Sequence, residues 1–423
     1  MTRPAWLTPD VRAWALYDVA SSMWIATIPT LLFAVYFRAV VATDTGRADA
    51  LWGITAAISL LIAGFAAPWI GARADLAGSR LRWLAAATAL CCLATAAMTL
   101  VGPGEVLFAM LAFVLAQAGY TVGMSLYDAY LVRIATPGTA GRISAFGWAV
   151  GFIGGIVAVL ACMRWLDGVE VSRDPRYTSI FVLVALLFAA AAMPALLGLR
   201  GVRSAAPPAT QAAGDPSAAR RVGRSIRAWR SYRNAVRFLA ALYLINDAMV
   251  TIAFFSSIYF RDQFGLGLSD LLMLMLLFQV LAIPATLAFG RFADRVSLHT
   301  AIYASLAVWI VAVLLMAFGA AAWVPYAVVV LFAMVFGSTQ ALMRGAFAVL
   351  VPRGRDAEFF GFNALAGRLS AAAGPLLYGA VSAATGSSRA ALLSVLLFLL
   401  GGALVLATVR IEEPAAEQRG AAG

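Results

Sequence analysis

Five ionisable side chains stand inside stretches otherwise apolar enough to cross a bilayer: Asp18, Asp128, Asp247, Arg344 and Arg368. Asp18 is the plainest case, lying in WALYDVASSMWIATIPTLLFAVYF, residues 14–37. A charge at the centre of a transmembrane helix costs roughly 2.5–3.5 kcal/mol even on lenient insertion scales. Such a group persists when it is paired, protonated or wetted by a cavity, which makes it a candidate for moving ions or solutes. Two chemistries suit the acids. Asp18 or Asp247 could exchange a proton as a cavity opens and closes; alternatively Asp18, Asp128 and Arg344 could be gate charges that pair in one state and part in another. Arg368, nearer mid-depth, could hold a substrate carboxylate through bidentate hydrogen bonds, or serve as the structural partner of one of the aspartates.

Polar residues extend this pattern. Gln117, Thr121, Ser125 and Asp128 recur at i, i+4, i+8 and i+11, which is one face of a helix. Tyr120, Tyr127 and Tyr130 flank that face, and Gln340 stands one turn before Arg344. Lipid would reject such a stripe, so it lines either a cavity or a hydrogen-bonded ladder between helices. Trp24 and Asn363 complete the expected pathway lining. Gly147, Gly151 and Gly155, with Gly154 beside them, form a small-residue strip suited to close packing and sliding of helices.

The elements that must position these groups follow from composition. Of 423 residues, 63% are hydrophobic and 12% charged, far from the half and the quarter usual for soluble domains. The apolar residues gather into twelve runs, near 13–39, 50–71, 82–101, 106–132, 143–163, 178–199, 238–260, 269–290, 300–318, 323–350, 358–383 and 388–409. At 1.5 Å per residue, about twenty residues span a hydrocarbon core about 30 Å thick. Lipid offers the backbone no hydrogen-bond partner, so each run is expected to be a helix. The first is read as a span rather than a cleaved leader.

The net charge of +11 is carried by arginine alone, without a single lysine. With both termini inside, 22 arginines fall in inner segments and 7 in outer loops. That is the positive-inside bias, so the charge sets topology rather than marking a nucleic-acid surface. Cys91, Cys92 and Cys162 lie in apolar helices and His299 at a loop edge, a set that predicts no disulfide framework, no metal site and no cofactor. No nucleotide-binding glycine loop or nucleophile–base set points to an enzyme.

Residues 201–234 begin Ala/Pro/Ser-rich and end basic, with Arg220, Arg221, Arg224, Arg227, Arg230 and Arg233 near helical spacing. They read as a cytoplasmic linker whose basic part lies on anionic headgroups. The linker separates an N-terminal six-helix bundle (1–200) from a C-terminal one (235–411), with a disordered cytoplasmic tail (412–423) at the end. Landmarks recur across it. Asp18 is followed by VYFR at 35–38, and Asp247 by IYFR at 258–261. The second span ends GARAD and the eighth GRFAD, and Ser22 and Thr251 stand one turn after the two aspartates. Two six-helix repeats around a central site are the organisation of transporters that rock.

The segment GARADLAGSRLR (71–82) resembles the signature loop of the major facilitator superfamily, and GRFADRVS its weaker copy. WALYDVASS, YDAYL, RISAFGWAVGFIGG, INDAMVTI, FQVLAIPATLAFGRFADR, GSTQALMRGAFAVLVP and EFFGFNALAGRLSAAAGPLLYG together are similar to the fungal autophagy-related vacuolar effluxers and their bacterial relatives. The resemblance implies an all-α membrane protein of twelve transmembrane helices in two pseudo-symmetric six-helix bundles, acting as a secondary transporter with amino acid efflux as the favoured role. It also implies a cytoplasmic gate loop: Gly71 and Asp75, the latter capping a neighbouring helix, with Arg80 and Arg82 locking the gate and Asp294 as the second copy. The expected setting is a monomer in a bacterial plasma membrane, taking a small-molecule substrate and either using a coupling proton or not. Proton-linked uptake, drug export and a non-transporting sensor are the alternatives.

Overall fold

The computed structural model describes residues 6–43, 45–76, 78–134, 140–201, 233–293, 295–350 and 372–410. Residues 202–232 of the expected linker, with its surface helix, and the tail lie outside them, while Arg233 and Asn234 at the linker's expected end belong to the next helix. Among the described residues are twelve helices. In the first half they are α1 (Pro9–Val41), α2 (Thr45–Leu76), α3 (Arg80–Ala97), α4 (Val106–Ile134), α5 (Ala140–Trp165) and α6 (Pro175–Gly198). In the second they are α7 (Arg233–Phe264), α8 (Leu268–Ala293), α9 (Leu298–Phe318), α10 (Val324–Leu350), α11 (Ala373–Thr385) and α12 (Ser388–Ala407). Ten are long and apolar enough to cross a membrane, and α5 adds a shorter apolar stretch, Val150–Trp165. The chain is a multi-pass membrane protein.

Local chemistry sets where these helices begin and end. Thr8 caps α1 by accepting from the Val11 N–H at 3.3 Å, and Pro9 supplies the first turn, where no N–H is needed. Asp174 and Pro175 do the same for α6, while Ser297 and Ser387 cap α9 and α12. Gly386, at φ 63°, stops α11 in the left-handed conformation that favours glycine. Within α1, two wide π turns occur at Ile28–Leu32 and Phe37–Val41. The first arises at Pro29, which has no N–H for the Ile25 carbonyl; Thr30 Oγ1 donates instead to the Ile25 and Ala26 carbonyls at 3.3 and 3.0 Å.

The two halves pack alike. In the first, α1 lies against α5 and α6, α4 against α2 and α3, and α3 against α6. In the second, α7 lies against α11 and α12, α10 against α8 and α9, and α9 against α12. Moving six helices along converts one pattern into the other. Between the halves, α2 meets α11 and α5 meets α8, a pairing that the same twofold exchange maps onto itself, and α1 meets α7. Buried aromatic residues fill the first half around Phe33, Tyr36, Trp52, Phe113, Tyr177 and Phe181. Their polar atoms are satisfied on the way: Tyr36 Oη donates to Val101 O at 2.7 Å and Tyr177 Oη to Leu32 O at 2.8 Å.

The starts of α1 and α7 share one face, since their other ends meet through Arg38 and Asp262. Asn234, at the start of α7, exchanges hydrogen bonds with the backbone of Arg410 after α12. Gly198, at the end of α6, touches Ala13 near the start of α1. We call this the near face and its opposite the far face.

The glycine strip of α5 is used twice. Gly147, Gly151 and Gly154 bring α5 onto α1, against Asp18, Ser22 and the Val19 carbonyl, and Gly155 brings it onto Gln279 of α8 in the other half. A side chain at Gly154 would run into the Val19 carbonyl, a backbone atom that cannot swing aside. Gly154→Val is therefore expected to destabilise the protein by about 1–3 kcal/mol, read as a lower thermal midpoint in detergent than that of Gly401→Val, a helical position where the added Cβ makes only an ordinary contact with Leu244 at 3.7 Å.

Candidate functional site

The two aspartates that recur across the repeat occupy matching places. Asp18, two and a half turns into α1, is buried against α5, where a Cβ on Gly147 would lie 2.6 Å from its Oδ2. Trp14 and Tyr127 enclose it: their rings stack at 4.5 Å, Trp14 Nε1 donates to the Tyr127 carbonyl, and the Tyr127 hydroxyl lies beside the carboxylate. Asp247 of α7 is buried against α11, where the Gly374 N–H donates to its Oδ2 at 2.9 Å. Gly374 lies in the first turn of α11, whose N–H groups have no partner within the helix, so the carboxylate completes a helix start inside the membrane. Among the described residues, Asp247 Oδ1 is buried without a hydrogen-bond partner. Ser22 and Thr251, one turn on, touch Gly151 and Gly374 in the same way. Among the described residues, neither aspartate forms a salt bridge.

The polar stripe of α4 grades from buried to open. Gln117 is 4% exposed and donates to Thr121 Oγ1 at 3.3 Å, and its Oε1 has no partner among the described residues; Thr121 and Ser125 are half-buried; Asp128 is exposed. Exposure along the stripe thus rises toward the near face. In the second half, α7 and α10 enclose a cavity of about 270 Å³ lined by Asn246, Thr339 and Gln340 together with Met249, Met343 and Phe347. Gln340 is one of the expected pathway residues. Asn246 and Thr339 are additions, although Asn246 precedes Asp247 directly in INDAM.

Trp24 stands elsewhere. It is fully buried inside the first half, donates from Nε1 to Thr95 Oγ1 of α3 at 2.8 Å and stacks on Tyr120 at 4.8 Å. The pair fastens α1 to α3 and α4. In the signature loop, Gly71 is half-buried on α2. Arg80 is buried at the start of α3, donating to the Ala129 carbonyl at 3.0 Å and lying over the Tyr130 ring, which ties α3 to α4 one residue past Asp128. Asp294, Asn363, Arg368 and the side chains of Asp75 and Arg344 lie outside the described residues.

A charge cluster at the far face is not expected from the sequence. Arg38, near the end of α1, donates from Nε to Asp49 Oδ1 of α2 at 2.8 Å and from Nη2 to Asp262 Oδ2 of α7 at 2.7 Å. Ser382 of α11 donates to the other oxygen of Asp49. Below this cluster, Trp52 Nε1 donates to Phe254 O at 3.0 Å and Ser257 Oγ to Thr30 O at 2.5 Å. Four of these five contacts cross from one half to the other, so the far face is shut. By hydropathy Arg38 stands at the very end of the first apolar run and Asp49 falls just before the run at 50; the paired VYFR and IYFR are the signal that could have drawn attention to Arg38.

Comparison with known proteins agrees with this architecture. A family described as "Vacuole effluxer Atg22 like" matches residues 137–419. The chain is 26% identical over 412 residues to the Bacillus subtilis uncharacterized MFS-type transporter YxiO, covering 95% of each. It is 25% identical over 286 residues to autophagy-related protein 22-1 of Aspergillus fumigatus, covering 61% of this chain and 46% of that one; the chain thus matches about half the length of its fungal relatives. Similar solved folds include a bacterial homologue of the human lysosomal transporter Spinster in an inward-facing, unoccupied conformation (TM-score 0.69, 12% identity, 96% and 97% of the two chains). They also include the D-xylose–proton symporter (0.70, 14%, 96% and 99%). With a twofold bundle pair, a shut far face and transporters as relatives, the chain is a transporter of the major facilitator type and belongs to the Atg22-like vacuole effluxer family.

Proposed function

We propose that this transporter exports amino acids or comparable small zwitterionic solutes across a bacterial plasma membrane by alternating access, with both termini in the cytoplasm. The observation that carries the reading is the closure of the two halves at the far face, set against an α4 stripe whose exposure rises toward the near face. The arginine bias supports placing the near face inside, which makes this the cytoplasm-facing state. The fungal relatives support an effluxer, and the cavity of Asn246, Thr339 and Gln340 supports a solute with hydrogen-bonding ends and an apolar body.

In this cycle the solute enters from the near face and rests between α4, α7 and α10. Asn246 and Gln340 bond its polar groups, and Met249, Met343 and Phe347 pack its body. The near face then closes. Asp128 and Arg344, on α4 and α10, are the charges proposed to meet there, with Gly71 and Asp75 of the signature loop and its Asp294 copy closing around them. A proton role falls to Asp247, whose Oδ1 is buried without a partner among the described residues. Protonation lets a carboxyl donate a hydrogen bond and changes its hold on the α11 start.

Counterflow of labelled amino acids into proteoliposomes tests the reading: exchange should appear for a subset of them, and exchange with none would overturn it. Asn246→Ala and Gln340→Ala should each raise the half-saturation concentration about fivefold, the loss of one hydrogen bond worth about 1 kcal/mol. An imposed pH gradient should drive parent uptake and leave Asp247→Asn undriven while its counterflow continues; a parent indifferent to the gradient removes the proton role. Asp128→Arg with Arg344→Asp should recover more exchange than either single change, and no recovery beyond the singles rejects the near-face pair.

A further inference from the structure

Seven threonines are buried among the described residues. Thr27, Thr55, Thr88, Thr95, Thr178 and Thr251 each donate their hydroxyl to the carbonyl four residues earlier, so their protons are spent on their own helices. Thr339 of α10 is the exception. Among the described residues it makes no such bond to the Val335 carbonyl, although its neighbour Ser338 donates to the Met334 carbonyl at 2.8 Å. Thr339 Oγ1 instead accepts from Trp309 Nε1 of α9 at 3.1 Å. An indole N–H can only donate, so this contact occupies a lone pair of the hydroxyl and leaves its proton unused.

The indole is fixed in place. Trp309 is fully buried, and its ring packs on Phe332 at 5.0 Å and Phe336 at 6.0 Å, two turns and one turn before Thr339. One and two turns after Thr339 come Met343 and Phe347, which line the α7–α10 cavity with it. Thr339 therefore stands at the border between the face of α10 that packs on Trp309 and the face that meets the cavity. The first half holds a similar pair in its spent form. There Trp24 Nε1 donates to Thr95 Oγ1, and Thr95 donates in turn to the Cys91 carbonyl at 2.7 Å.

We propose that Trp309 is a positioning residue of the solute site: by holding Thr339 Oγ1 it presents that hydroxyl to the cavity as a donor, where it meets a carboxylate oxygen of the solute. Without the indole, the hydroxyl turns to the Val335 carbonyl as the other six threonines do, and the donor is withdrawn. No charged side chain is among the described residues lining the cavity, so hydrogen bonds rather than an ion pair hold the carboxylate there. The inference rests on the export reading above and assigns the two ends of its solute. Thr339 takes the acceptor end, and the amide oxygens of Asn246 and Gln340 are left to accept from the ammonium.

Solutes that differ only at one end test it. Methionine and methioninol share an apolar body and an ammonium, and only the first has a carboxylate; if the parent exchanges another amino acid instead, that one and its amino alcohol replace them. Methionine should raise the parent's thermal midpoint at about one-tenth the concentration that methioninol needs. Thr339→Val should remove this preference and raise the half-saturation of methionine counterflow about tenfold at an unchanged maximal rate, and Thr339→Ser should restore both. Trp309→Phe, which keeps a ring between Phe332 and Phe336, should raise the half-saturation about threefold. The double change should match Thr339→Val alone, because the indole acts only through the hydroxyl. Trp309→Phe with the parent's half-saturation, or a double change whose effects multiply, reduces the indole to packing and overturns the proposal. Parent counterflow that Thr339→Val leaves unmoved overturns the donor and lets the export reading stand. A parent that exchanges no amino acid, yet is stabilised by hexanoate in a way that Thr339→Val abolishes, keeps the donor and rejects the export reading; a parent that responds to none of these solutes overturns both.

Discussion

A charge or an unsatisfied amide inside a bilayer has to be covered by another part of the protein, and in this chain the cover is a neighbouring helix brought unusually near. Asp18 is covered by α5 because Gly147 offers no side chain, and Asp247 by α11 because Gly374 offers none and adds an N–H. Lipid tails are as apolar as leucine, so between membrane helices this polar cover and close packing replace the hydrophobic effect as the organising force. The closest helix approaches therefore fall where the polar groups are.

The same constraint explains the twofold pattern and its breakage. Each half places a carboxylate on its first helix, a hydroxyl one turn later and a glycine opposite on its fifth. The halves then part company. Asp247 binds a helix start directly, whereas Asp18 is boxed in by Trp14 and Tyr127. Two copies of one packing scheme have diverged in the part of it that handles the carboxylate.

Much of this is legible in the sequence. Twelve spans, a twofold repeat and both recurring aspartates come from hydropathy and landmarks, since a charge among apolar residues stands out. Facing direction does not. In a soluble helix the core side is apolar and the water side polar, but in α1 both core and lipid are apolar, and periodicity cannot say which way Trp24 turns. Its partner Thr95 lies on another helix, invisible to any local pattern. Hydropathy also gives no hint that Arg38, at the end of the first apolar run, and Asp49, one residue before the second, meet each other, although both lie within helices.

The two wide turns of α1 matter for how movement travels along it. A π turn inserts extra length into a helical repeat and rotates the residues after it relative to those before it. Asp18 lies before both such turns and Arg38 sits in the second. The shaft thus has two joints between the carboxylate it shows to α5 and the guanidinium it shows to α2 and α7. Torque applied at one end can be absorbed partway, so the entrances at either end of this molecule need not be rigidly geared to each other.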